Sequence, residues 1–144
     1  MSRKSAAPPA AAIQAALSAA EKCAAGAATP VVIVMTDAAG LVCGLLRMPG
    51  AFLASNDYAE WKAWTAASFG MPTADFSGLL NSFDEDVKQG LLAHGKVTAL
   101  PGGVPVMLDD TLMAAVGISG GPAEIDEACA EAARAAFIDA LGPA

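Results

Sequence analysis

The sequence predicts a single α/β domain built on a five-stranded, mainly antiparallel sheet with helices packed against it. Three observations predict it. A continuous β-branched run, Val31-Val32-Ile33-Val34-Met35, has the composition of a strand buried on both faces. Three further strand-like stretches, Val97 to Leu100, Val104 to Leu108 and Thr111 to Ser119, are separated only by Pro101-Gly102-Gly103 and Asp109-Asp110, as in a meander. Alanine-rich segments with helical periodicity stand at both ends of the chain.

In order, residues 1–9 read as a loose tail and residues 10–144 as one domain. Ile13, Leu17, Ala20 and Ala24 share a face opposite Gln14, Ser18, Glu21 and Lys22, which predicts a helix from Ala10 to Ala25 ending at Gly26. The strand at Val31 to Met35 meets Asp37-Ala38-Ala39-Gly40, an acidic turn opener with a terminal glycine, so Leu41 to Met48 returns as its hairpin partner. Ser55 is the expected cap of a helix from Asn56 to Phe69 that stops at Gly70. A short helix starts at Thr73, and Asp84 to His94 is a further short helix or an irregular connection weakened by Gly90. After the meander, Gly120-Gly121-Pro122 opens a last helix with Glu124, Asp126 and Glu127 at its positive end and Ile125, Cys129, Ala133 and Phe137 on its apolar side.

A chain of 144 residues, 55% hydrophobic and 16% charged, is long enough for one core and apolar enough to predict a surface covered by another copy, hence a homo-oligomer. Fifteen acidic residues oppose eight scattered Lys and Arg, a net charge of −7 that argues against nucleic acid as a partner. The apolar runs are too short to span a bilayer, so no membrane role is expected. Cys23, Cys43 and Cys129 form no Cys-x-x-Cys pair, which predicts apolar packing in a reducing, cytoplasmic setting and neither a disulfide framework nor a metal site.

Against this pattern a few polar residues stand out. Arg47 emerges among apolar neighbours whichever face of its strand is buried. Lys62 lies beside Tyr58, Trp61 and Thr65 at helical spacings of three and four. If the helix folds back over the strand, the two cations converge where an anion or a developing oxyanion is stabilised. Gly102-Gly103 and Ser119-Gly120-Gly121 sit beside strand ends, and the second pair opens a helix whose free N–H groups suit a carboxylate or phosphate oxygen. Asp126 is the better general-base candidate, whereas Asp37 organises its turn and His94, the only histidine, reads as a solvated loop residue. The corresponding chemistry is cofactor-independent proton transfer next to a carbonyl, of isomerase or lyase type, on a small oxygenated organic acid.

Taken together, Val34-Met35-Thr36-Asp37-Ala38-Ala39-Gly40, Arg47-Met48-Pro49-Gly50-Ala51, Lys62-Ala63-Trp64-Thr65-Ala66, Pro101-Gly102-Gly103-Val104-Pro105 and Gly117-Ile118-Ser119-Gly120-Gly121 with Asp126-Glu127 resemble the GlcG/HbpS family, also described as PduO C-terminal-like. The resemblance covers about Ala10 to Leu141. It implies a profilin-like α/β/α sandwich, homo-oligomers, and a pocket near Arg47, Lys62, Gly102, Gly103, Ser119 and Asp126. It also implies haem as the alternative ligand, in a haem-binding or haem-sensing protein without turnover. Haem-binding relatives can offer a histidine from the first helix, and Ala10 to Ala25 contains none; Met48 and Cys23 are the remaining soft donors. Pro49 stands where the family usually has an acidic residue after Arg-Met.

Overall fold

Alanine at every fourth position gives a helix a face without bulk, so that its axis can approach a neighbour closely. Ala12, Ala16, Ala20 and Ala24 form such a face and are fully buried. The computed structural model describes residues 1–142, and the expected domain span therefore has residues 143 and 144 outside the described residues. Its elements are β1 (Ser2–Arg3), α1 (Ala10–Gly26), β2 (Val32–Asp37), β3 (Val42–Arg47), α2 (Ser55–Phe69), α3 (Thr73–Ser82), α4 (Glu85–Ala93), β4 (Gly103–Leu108), β5 (Thr111–Ser119) and α5 (Ala123–Leu141).

The sheet is central and separates two apolar layers. On one side α1 and α5 pack on each other and on Val31, Ile33, Met35, Val104, Val106, Val116 and Ile118, with Cys129, Ala133 and Phe137 in the seam. On the other side α2 lays Ala59, Ala63, Ala66 and Ala67 on Val32, Val34, Leu112 and Ala115. This is the α/β/α sandwich expected, and strand alternation assigns each residue to its layer. The turn after β2 is held as predicted: the N–H groups of Ala39 and Leu41 both donate to Asp37 Oδ1, at 2.9 and 3.0 Å.

The fifth strand is not the one the sequence suggests. Residues 97–100 form a loop, because Thr65 Oγ1 takes the place of a strand partner, donating to the Lys96 carbonyl at 3.0 Å and accepting the Thr98 N–H at 3.1 Å. The sheet gains β1 instead, from the segment expected to be a loose tail. Ser2 and Arg3 run parallel to Thr111 and Leu112, on the edge of β5 opposite β4, so the sheet is mixed rather than purely antiparallel. The other pairings, β3 with β2, β2 with β5, and β5 with β4, are antiparallel.

Arg3 explains why this segment is held. Its guanidinium donates to the carbonyls of Ala38 at 2.9 Å, Ala67 at 2.6 Å and Ser68 at 3.1 Å, the last two being C-terminal carbonyls of α2 that have no partner within the helix. Arg3→Ala is expected to cost about 1–2 kcal/mol, read as a lower urea midpoint at unchanged slope.

One close approach positions the site. Gly103 and Gly117 are directly opposite on β4 and β5, and a Cβ on either would run into α2 backbone, at the Lys62 and Ala59 carbonyls respectively. The two glycines form a trough that lets α2 sink onto the sheet.

Candidate functional site

With α2 set in this trough, Lys62 reaches past the end of the sheet toward the opposite helical layer. Its Nζ donates to the Ile118 carbonyl at 2.7 Å and to Asp126 Oδ2, on α5, at 3.1 Å. Asp126 Oδ1 accepts the Gly121 N–H at 3.0 Å. The passage exists because residue 102 is glycine: with φ +120° it occupies a conformation side chains avoid, and a Cβ there would meet Ile118 O, Asp126 Cβ and Lys62 Nζ.

Lys62 and Asp126 are 4% and 3% exposed, so neither charge is solvated. Burial lowers the Lys62 pKa from its ordinary value, and the attraction of Asp126 opposes but does not cancel this. Burial likewise raises the Asp126 pKa against the attraction of Lys62 and the Gly121 hydrogen bond. The carboxylate thus becomes a stronger base and the ammonium a stronger acid than either is in water. An ammonium has three donors, of which two are engaged here.

The pair forms one wall of a cavity of about 420 Å³. Phe52, Tyr58, Leu100 and Pro101 supply its apolar side, and Ser119, Gly120, Gly121 and Ala123 its polar rim. The N–H of Ala123, the first residue of α5, has no acceptor within the helix.

Six candidate residues therefore meet at this cavity: Tyr58, Lys62, Ser119, Gly120, Gly121 and Asp126. The others do not line it. Arg47 lies in one row with Val32 and Ser119, but two strand spacings, roughly 10 Å, from the latter. Because α2 covers β2, β4 and β5, the face of edge strand β3 stays open and Arg47 is exposed. The predicted convergence of two cations is thus corrected to one cation and one carboxylate. Thr65 tethers the loop at Lys96 and Thr98. Gly102 and Gly103 border a separate small cavity and act here through their lack of a side chain. The glycine pair at 120 and 121 also differs from expectation, since the Gly121 N–H holds Asp126 and is not free for a ligand.

Sequence reasoning missed Phe52, Leu100, Pro101 and Ala123. An exposed Phe52-Leu53 pair after Pro49-Gly50 was the one available signal, since apolar residues in a turn have no core to serve. His94 stacks on Trp64, ring centroids 4.8 Å apart, and its Nδ1 accepts the Lys96 N–H at 3.1 Å, away from the cavity. No group of three His, Cys, Asp or Glu side chains suited to a metal occurs among the described residues. Nor is any helix among them long and apolar enough to cross a membrane.

The fold and the site together define an α/β/α sandwich domain with a part-apolar cavity closed by a buried Lys–Asp pair. The chain belongs to the HbpS-like family, described as haem degrading protein HbpS-like, whose model matches residues 9–135. It is 37% identical over 110 residues to the corrinoid adenosyltransferase PduO of Salmonella typhimurium, an alignment covering 75% of this chain and 32% of PduO. The chain thus spans about a third of the length of that relative. Among solved structures, the PduOC:heme complex is 32% identical with a TM-score of 0.82, over 91% of this chain and 95% of that one. A Streptomyces reticuli HbpS double mutant is 29% identical with a TM-score of 0.81, over 92% and 88% of the two chains.

The family raises haem as a cofactor, and the cavity can be tested for it. Its lining contains no His, Met or Cys; Tyr58 and Lys62 are its side chains of other kinds able to ligate haem iron, and the Lys62 Nζ is engaged with the Ile118 carbonyl and Asp126. Cys23 and Met48 are packed in the α1–α5 layer. This donor set does not fit a His-, Met- or Cys-ligated haem.

Proposed function

We propose that this chain binds a small anionic, oxygenated organic molecule in the cavity beside Lys62 and Asp126, and transfers a proton next to its carbonyl group in isomerase- or lyase-type chemistry. The observation that carries this reading is the buried pair at the cavity wall, Nζ to Oδ2 3.1 Å, with each partner's acidity shifted toward proton exchange.

The two charges of the pair cancel, so the ligand's own charge falls to the polar rim. The Ala123 N–H at the positive end of α5 and the Ser119 hydroxyl would hold a carboxylate there. Asp126 Oδ2 would take the proton α to the carbonyl, while Lys62, through its remaining donor, would stabilise the oxygen as it gains charge. Phe52, Tyr58 and Leu100 would exclude water from the apolar part.

Native mass spectrometry of the freshly purified protein is expected to reveal a co-purified small acid. Ser119→Ala should weaken its retention about five- to tenfold, the value of one hydrogen bond, while Arg47→Ala leaves it unchanged. Equal loss in both variants would overturn the assignment of the site.

Haem binding is the second reading, favoured by likeness to the PduOC:heme complex and opposed by the donor set above. Titrated haemin should give no sharp Soret band; a band abolished by His94→Ala would reverse the ranking of the two readings. We also place self-association among the proposals. It is supported by Leu41, Leu45, Phe52 and Leu53, which are 67, 48, 71 and 77% exposed along the open edge strand and the loop after it.

A further inference from the structure

The cavity beside Lys62 is divided by chemistry. Its polar groups stand together where β5 ends and α5 begins: the Ser119 hydroxyl, the Ala123 N–H and the Lys62–Asp126 pair. Ser119 is directly opposite Val32, which belongs to the layer under α2, so its side chain points to that side of the sheet and lines the cavity. The residue is 8% exposed, and among the described residues its hydroxyl has no hydrogen-bond partner. A nearly buried hydroxyl left in this state costs free energy that a ligand oxygen would recover.

The remainder of the lining is apolar. Phe52, Tyr58, Leu100 and Pro101 form it, and Tyr58 and Leu100 stay partly exposed although they border a cavity. The Tyr58 ring is set edge-on to Trp61, centroids 5.1 Å apart at 78°, which fixes its tilt. Two aromatic rings and a proline offer flat surfaces that suit a flat apolar body. At about 420 Å³ the cavity has the liquid volume of roughly fourteen waters, so an acid as short as pyruvate would leave most of it wet. An apolar body that displaces this water also covers Tyr58 and Leu100.

We infer that the cavity takes 2-oxo acids carrying an aryl group next to the methylene carbon, and interconverts their keto and enol forms. This rests on the proton-transfer reading above and specifies its substrate class. The carboxylate lies on the Ser119 hydroxyl and the Ala123 N–H, the aryl group lies against Tyr58 and Leu100, and the reacting carbons lie between them at the Lys62–Asp126 pair. Asp126 Oδ2 takes a proton from the methylene carbon. The electron pair of that bond becomes the carbon–carbon double bond, and the oxo oxygen takes a proton from Lys62 Nζ. The proton on Asp126 then passes to Lys62 along their 3.1 Å hydrogen bond, which restores both groups. One proton has moved from carbon to oxygen, and nothing is oxidised or reduced. The aryl group conjugates with the enol and so lowers the cost of reaching it.

Phenylpyruvate and pyruvate are the probes, titrated into the whole chain by calorimetry and followed by proton NMR in deuterium oxide. Phenylpyruvate is expected to bind at least about tenfold more tightly, the value of burying one aromatic side chain. Its methylene protons should exchange with solvent faster than they do without protein. Hydrocinnamate, which has the same two ends and no oxo group, should compete with it and stop the exchange. Tyr58→Ala and Leu100→Ala should each cut the preference for phenylpyruvate over pyruvate about fivefold, whereas Ser119→Ala weakens both acids alike. Pyruvate bound and exchanged as well as phenylpyruvate would overturn the aryl assignment and leave the proton-transfer reading standing. Phenylpyruvate bound in competition with hydrocinnamate, yet exchanged no faster than in buffer, would overturn the interconversion and that reading with it. Binding of neither acid would overturn both.

Discussion

Replacing Lys62 by methionine is expected to remove about 3–5 kcal/mol of stability, because it leaves the Asp126 carboxylate 3% exposed and without its cation. For a domain of this size that is a fall in melting temperature of roughly 10–20 °C. The loss has a definite pH dependence. Burial already raises the Asp126 pKa, and removing Lys62 takes away the chief opposing effect, so the folded state then holds its proton to higher pH than the unfolded state does. Stability must fall as pH rises from the ordinary carboxylate value through the raised one. The deficit is therefore small in acid and complete at neutral pH.

The double variant Lys62→Met with Asp126→Leu tests whether the pair or the isolated charge is responsible. It removes both buried ions and leaves only the Ile118 carbonyl and the Gly121 N–H to find new partners, so it should return to within about 1 kcal/mol of the parent chain at neutral pH. Urea unfolding of the three proteins across pH makes the comparison; a double variant no more stable than Lys62→Met would show that the Coulomb account is wrong.

The second large effect belongs to a residue with no functional group. Gly117→Ala would put a Cβ against the Ala59 carbonyl and 2.7 Å from the Ala63 nitrogen, both backbone atoms of α2 that cannot rotate away. The helix must lift off the sheet, at an expected cost of about 3 kcal/mol, and Lys62 is withdrawn from Asp126 with it. Gly78→Ala and Gly90→Ala provide the contrast, since they lie in α3 and α4 with nothing near the new methyl group and should each gain about 0.5–1 kcal/mol from helix propensity. Thermal melts of the three variants would separate close packing from backbone entropy; a Gly117→Ala protein as stable as its parent would mean that α2 does not sit in the trough.

Most of the fold was legible because periodicity and turn chemistry report on short stretches of chain. The alanine spacing of α1, the β-branched run of β2 and the acidic turn at Asp37 each needed only their neighbours to be read. The exchange of one strand for another was not legible, since it depends on the Arg3 guanidinium finding α2 carbonyls more than sixty residues away. Likewise, Lys62 and Asp126 were recognisable as residues out of pattern, but their meeting depends on the missing side chain at Gly102 and on the pairing of Gly103 with Gly117, both properties of the assembled layers. Arg47 went astray for the opposite reason. Alternation left open which face of its strand is buried, and no local signal tells how far a covering helix extends toward a sheet's edge.

The passage at Gly102 has a mechanical consequence. A sheet ordinarily insulates the helices on its two faces, so that either layer can loosen without the other. Here one side chain from α2 is bolted to one from α5 through the sheet's end, and drawing them apart would strand an unpaired charge in each layer. Loosening either face therefore exacts a penalty from both, and the cavity, lined by residues of α2 and α5 alike, keeps its shape only while the two layers hold together.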